Sequence, residues 1–114
     1  MARYFVDVEA TGLDLENDRI IQIAIIVDEG DNSLKVYNDL CYTDVKMSFS
    51  AMGVHHITPQ MLEDKYWPDE TDAYIALSRG NSSSNYFISH GNELDLAMLQ
   101  NEGFECKMQL IDTN

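Results

Sequence analysis

Two carboxylates placed two residues apart in an otherwise apolar opening run constrain this chain more than any other feature. The run is Tyr4-Phe5-Val6-Asp7-Val8-Glu9, and Ala10-Thr11-Gly12-Leu13 follows it. Aromatic and β-branched residues favour a strand over 4–9, and Thr11-Gly12 supplies the turn chemistry that ends it. Side chains two apart on a strand point to the same face, so Asp7 and Glu9 stand side by side. The rest of the run predicts a buried strand, where neighbouring like charges are strongly unfavourable unless something neutralises them. Either one carboxyl holds a proton or a cation sits between the two. Hard divalent ions such as Mg²⁺ and Mn²⁺ prefer carboxylate oxygens, so the pair reads as half of a metal site.

Further strands follow, and then the period changes. Residues 19–27 form a mostly apolar run after a polar turn at 14–18, and 34–42 alternate after a turn at 28–33 rich in Asp, Gly and Asn. Three sequential strands with short turns predict an antiparallel meander whose third strand is a partly exposed edge. Thr58-Pro59 predicts a short helix with threonine as cap and proline at its first position. A second helix is expected over 69–79, a fourth strand over 86–89, and a helix from the Asn92 cap to about Glu102, stopped by Gly103. Residues 106–112 suggest one more strand. No linker or internal repeat divides the chain, so 1–114 is expected to be a single α/β domain.

Charge narrows the function classes. Twenty acidic residues against seven basic ones give a net charge of −13, and the basic residues form no run. A protein that grips a long phosphate backbone presents a basic stripe, which this chain lacks. Contact with nucleic acid is therefore expected to be short, metal-assisted or helped by another chain. No apolar run approaches the roughly 20 residues of a membrane span, and the first residues lack a signal-peptide pattern. Cys41 and Cys106 fit no metal or redox spacing, which predicts reduced thiols and a cytoplasmic location without membrane association.

Asp95 is the third acid of interest. An acid in the first turn of a helix is favoured by the helix dipole alone. Its surroundings say more: Ser89-His90-Gly91-Asn92-Glu93-Leu94-Asp95-Leu96-Ala97-Met98-Leu99 resembles the second motif of the DEDD 3′→5′ exonucleases. Asp7-Val8-Glu9-Ala10-Thr11-Gly12-Leu13 resembles the first motif of that family, and 18–23 resembles its second strand. Val54-His55-His56-Ile57-Thr58-Pro59-Gln60-Met61-Leu62 is similar to a segment that reads Val-His-Gly-Ile-Thr-Pro-Glu-Met-Leu in many members. Several motifs in family order and spacing are a far stronger signal than one. The resemblance is to the branch that holds the proofreading subunits, ribonuclease T and oligoribonuclease.

That resemblance implies a ribonuclease H-like fold, a mixed β-sheet flanked by helices, here lacking the final helical section. It implies a divalent-metal-dependent enzyme that removes nucleoside monophosphates from the 3′ ends of single-stranded DNA or RNA by two-metal phosphodiester hydrolysis. Asp7, Glu9 and Asp95 would be the catalytic carboxylates and hold two Mg²⁺ or Mn²⁺ ions. Thr11, Gly12 and Leu13 would contact the terminal nucleotide, and His55 and His90 would shape the same substrate site. The family's third motif, a His followed by an Asp, lies beyond Asp112-Thr113. Another departure is Gly91-Asn92, where the family more often places asparagine directly after the histidine. The alternative is a catalytically inactive exonuclease-like module that binds metal, nucleotide or a protein partner. A shortened domain is also expected to leave an apolar sheet face uncovered, which predicts a homodimer or another protein partner.

Overall fold

The computed structural model describes residues 1–90 and 93–113. Among these, five strands form one mixed sheet in the order β3-β2-β1-β4-β5. The strands are β1 Arg3–Ala10, β2 Ile20–Asp28, β3 Leu34–Leu40, β4 Tyr86–Ser89 and β5 Gln109–Asp112. The first three make the expected antiparallel meander, whereas β4 pairs parallel to β1 and β5 parallel to β4. A parallel neighbour needs a crossover, and helix α2, Asp72–Arg79, lies in the connection between β3 and β4. Helix α3, Glu93–Asn101, follows β4.

Alternation on the strands decides which face is covered. Tyr4, Val6 and Val8 of β1 and Ile23, Ile25 and Val27 of β2 point into the main core. Ala73 and Leu77 of α2 and Met98 and Leu99 of α3 close over them, with Phe87 and Phe104 filling between. Thr71 caps α2, its hydroxyl accepting from the Tyr74 N–H at 3.2 Å.

The opposite face is partly open. Phe5 faces Ile26 on one side and Ile88 on the other, Ile26 faces Val36, and Ile88 faces Ile111. One apolar side chain from every strand thus stands in a single row across the sheet. All but Ile88 are exposed to solvent. The expected uncovered apolar face is present.

Several expected helices take different forms. Residues 59–62 make only a 3₁₀ turn, and 69–79 split into a 3₁₀ turn at Pro68–Glu70 and the shorter α2. Pro68 cannot extend a helix backwards, and Thr71 adopts extended backbone as it caps the next one. An additional helix, α1, runs Phe49–His55 behind the Ser48 cap. Beneath α1, Ile21, Met47, Ile57 and Leu62 form a second, smaller core. The last strand begins at Gln109 rather than 106. The expected cap at Asn92 and the departure at Gly91-Asn92 lie outside the described residues.

Candidate active site

Strand β1 carries the two acids to the end of the sheet. Asp7 lies opposite Ala24, Glu9 opposite Gln22, and Ala10 opposite Ile20, so Ile21 is an extra residue on β2 just beyond Glu9. A bulge of this kind bends the ladder and re-aims nearby side chains. The two acids share a face as expected, but the strand is buried on its other face only. Asp7 is exposed and Glu9 half-buried. The crowding inferred from sequence is therefore milder at Asp7 than a two-sided burial would give.

The buried charge is Asp95. It lies in the first turn of α3, 2% exposed, against the end of β1, and it accepts a hydrogen bond from the Val8 backbone. Burial, and after it the Asp7 charge, push its carboxyl up to about 7. Glu9 is also raised, first by burial and then by Asp7, while His55 opposes the rise. Asp7, Glu9 and Asp95 all line one cavity of about 970 Å³, together with Leu13, Phe49 and His55. Among the described residues, Lys46 is the one Lys or Arg in its wall. Among the described residues no group of three or more His, Cys, Asp or Glu is disposed to hold a metal ion.

The turn after β1 is fixed by Asp18, the first residue of the segment that resembles the family's second strand. Asp18 accepts from the Thr11 hydroxyl at 2.7 Å and from the Asp14 N–H at 2.8 Å. A Cβ on Gly12 would stand 2.4 Å from its carboxylate oxygen, so only glycine lets Asp18 close against the turn. Thr11 is fully buried, its side chain spent on Asp18 and on the Arg19 N–H, and it supports the cavity from behind. Gly12 and Leu13 do line it, and Leu13 projects 81% exposed. Helix α1 forms the facing wall, its cap held to the same turn by the Ser48 N–H donating to the Thr11 carbonyl at 3.3 Å.

The histidines separate. His55 Nδ1 accepts from the Ile57 N–H at 2.9 Å, so the neutral ring carries its proton on Nε2. That Nε2 is buried without a hydrogen-bond partner among the described residues. His90 is exposed, pairs through Nδ1 with the Thr113 hydroxyl at 3.1 Å, and lies outside the cavity lining. His56 ends α1 with φ of 60°, a left-handed position that glycine favours, and Gly is what the resembled segment has there.

Sequence and fold comparisons bear on this arrangement. The profile of the RNase_T exonuclease family matches residues 4–113. The chain belongs to that exonuclease family. It has the ribonuclease H-like exonuclease fold of the DEDD superfamily, as the sequence resemblance implied. No curated protein sequence matches the chain at a significant level. Among solved structures it is similar to exonuclease X in complex with 5′ overhanging duplex DNA, with 24% identity and a TM-score of 0.71. It is also similar to Escherichia coli exonuclease I bound to single-stranded DNA in a zinc ion form (16%, 0.76) and to an SSB/exonuclease I structure with an inhibitor (18%, 0.79). These matches cover 96–97% of this exonuclease-family chain but 58% of exonuclease X and 27–28% of exonuclease I.

Proposed function

We propose that this domain is a divalent-metal-dependent 3′→5′ exonuclease that releases nucleoside monophosphates from single-stranded 3′ ends of DNA or RNA. The observation that carries this reading is the convergence of Asp7, Glu9 and the buried Asp95, from two separate elements, on one cavity. Like charges so placed, with burial raising Asp95 and Glu9, are what a hard cation would relieve. The donor set is all carboxylate oxygen, which suits Mg²⁺ or Mn²⁺, and Asp7, Glu9 and Asp95 would hold them. Ions held there would supply Lewis-acid activation of water and neutralise charge on the scissile phosphate.

The chain's own residues do the rest. Gly12 and Leu13 offer backbone and an apolar side chain to the terminal nucleotide, and Thr11 holds their turn rigid through Asp18. His55 shapes the substrate site from the cavity wall near Glu9. Water adds to the terminal phosphorus, the bond from phosphorus to the penultimate 3′ oxygen breaks, and a nucleoside 5′-monophosphate departs. The open sheet face next to the acids is proposed to meet a second copy or another protein.

An end-labelled single strand incubated with Mn²⁺ tests the reading. Stepwise loss of 3′ nucleotides is expected from the protein and not from Asp7→Ala. Metal binding with an intact strand would instead identify an inactive binding module.

A further inference from the structure

Arg19 joins the two elements that bring acids to the cavity. Its backbone holds the end of β1: the carbonyl accepts from the Thr11 N–H at 2.9 Å, and the N–H donates to the Thr11 hydroxyl at 3.1 Å. Its side chain holds α3 from the other end of the same residue. Nε and Nη2 donate to the two carboxylate oxygens of Glu102, at 3.1 and 2.5 Å. Glu102 directly follows α3, and Asp95 stands in the first turn of that helix. The Glu102 side chain is only 4% exposed, and the Arg19 guanidinium lies over the Trp67 ring, 5.1 Å from its centroid. An exposed pair contributes little, whereas a forked pair on a buried carboxylate fixes direction as well as distance.

We propose that Arg19 and Glu102 are positioning residues for the candidate metal centre, their ion pair fixing the spacing between Asp95 on α3 and the acids of β1. The inference rests on the reading that the three acids hold a divalent cation, and adds what keeps them in register. Met98 and Leu99 press α3 onto the sheet, but apolar contact is non-directional and sets no position along the helix axis. Asn101 adds only a neutral, exposed tie, from Nδ2 to the Leu15 carbonyl at 2.6 Å. Asp95 lies seven residues before Glu102, roughly 10 Å along a short, stiff helix. Whatever holds the Glu102 end therefore sets the depth of Asp95. Small hard cations demand closely placed oxygens, so a slack helix lowers affinity for the ion before it unfolds the chain.

The test is Mn²⁺ titration of the full chain, with free ion followed by electron paramagnetic resonance, beside thermal melts. Arg19→Met with Glu102→Leu removes both charges at once, a replacement that ordinarily keeps stability because neither charge is stranded. This double variant is expected to melt near the wild type and to bind Mn²⁺ roughly 10-fold or more weakly. Arg19→Lys keeps the charge and loses the fork, and its affinity is expected to fall between the two. Both variants leave the net charge of −13 unchanged, so a weaker grip on the ion reflects geometry and not the overall field. Wild-type affinity in the folded double variant overturns the positioning role. Should that variant not fold, wild-type affinity in Arg19→Lys overturns it instead. Weaker Mn²⁺ binding in the variants, with no strand cleaved by the wild type, supports the positioning role and removes the enzyme reading. No Mn²⁺ bound by the wild type overturns both.

Discussion

A carboxyl held near pH 7 makes Asp95 a reporter of its own surroundings. Its ordinary value is 3.8 and its folded value about 7, raised by burial and then by Asp7. Between those limits the unfolded chain has lost the proton and the folded chain keeps it. The folded state binds more protons there, so stability falls as pH rises through that window. Three units at about 1.36 kcal/mol each set the loss on the order of 4 kcal/mol at most. Denaturant midpoints for the metal-free protein should therefore drop between pH 4.5 and 8, and Asp95→Asn should flatten the slope. Parallel slopes for the two proteins would refute the assignment. Gly12 is the second sensitive residue. Gly12→Ala drives a methyl group into the Asp18 carboxylate and costs the hydrogen bonds to Thr11 and Asp14, about 1 kcal/mol each. Cleavage assays should show a larger loss of activity than thermal melts show of stability. Of the site residues, Asp7 and Glu9 were legible because strand alternation is a two-residue rule, and Asp95 only through its motif. Phe49, Lys46 and Asp18 were not, because their part depends on which loops meet.

The same limit shows in the elements. Strands β1, β2 and β4 follow directly from apolar runs between turn residues. Helix α1 gave no such signal. None of its residues is buried, Phe49 and Val54 face solvent, and Gly53 sits inside it, so its seven residues carry no apolar stripe. The one clue was Ser48, whose Oγ accepts from the Ala51 N–H at 3.1 Å. Residues 59–62 had a cap and an N-terminal proline, yet the segment is too short to repay helix nucleation and tightens into a 3₁₀ turn. His56 then closes α1 in a left-handed conformation that a side chain disfavours. His56→Gly should raise stability by about 0.5–1 kcal/mol in thermal melts. A lower melting temperature would mean that the imidazole makes a compensating contact.

At the scale of the molecule, the row Val36-Ile26-Phe5-Ile88-Ile111 decides how the chain behaves in solution. Such an exposed apolar band on a sheet face predicts association. Light scattering should give twice the 13.0 kDa chain mass, and Val36→Lys should return it to a single copy. A wild-type protein that stays at one chain mass at high concentration would refute self-association and leave the band to another protein. The meander was readable from turn spacing, but the parallel join of β4 to β1 was not, since pairing between residues some 80 positions apart leaves no local mark. That join has a further consequence during synthesis. The β1–β2 hairpin can close as soon as residue 28 is free, whereas Asp95 meets Asp7 only after β4 has slotted in beside β1. The three carboxylates of the cavity are thus brought together only once the fold is nearly whole.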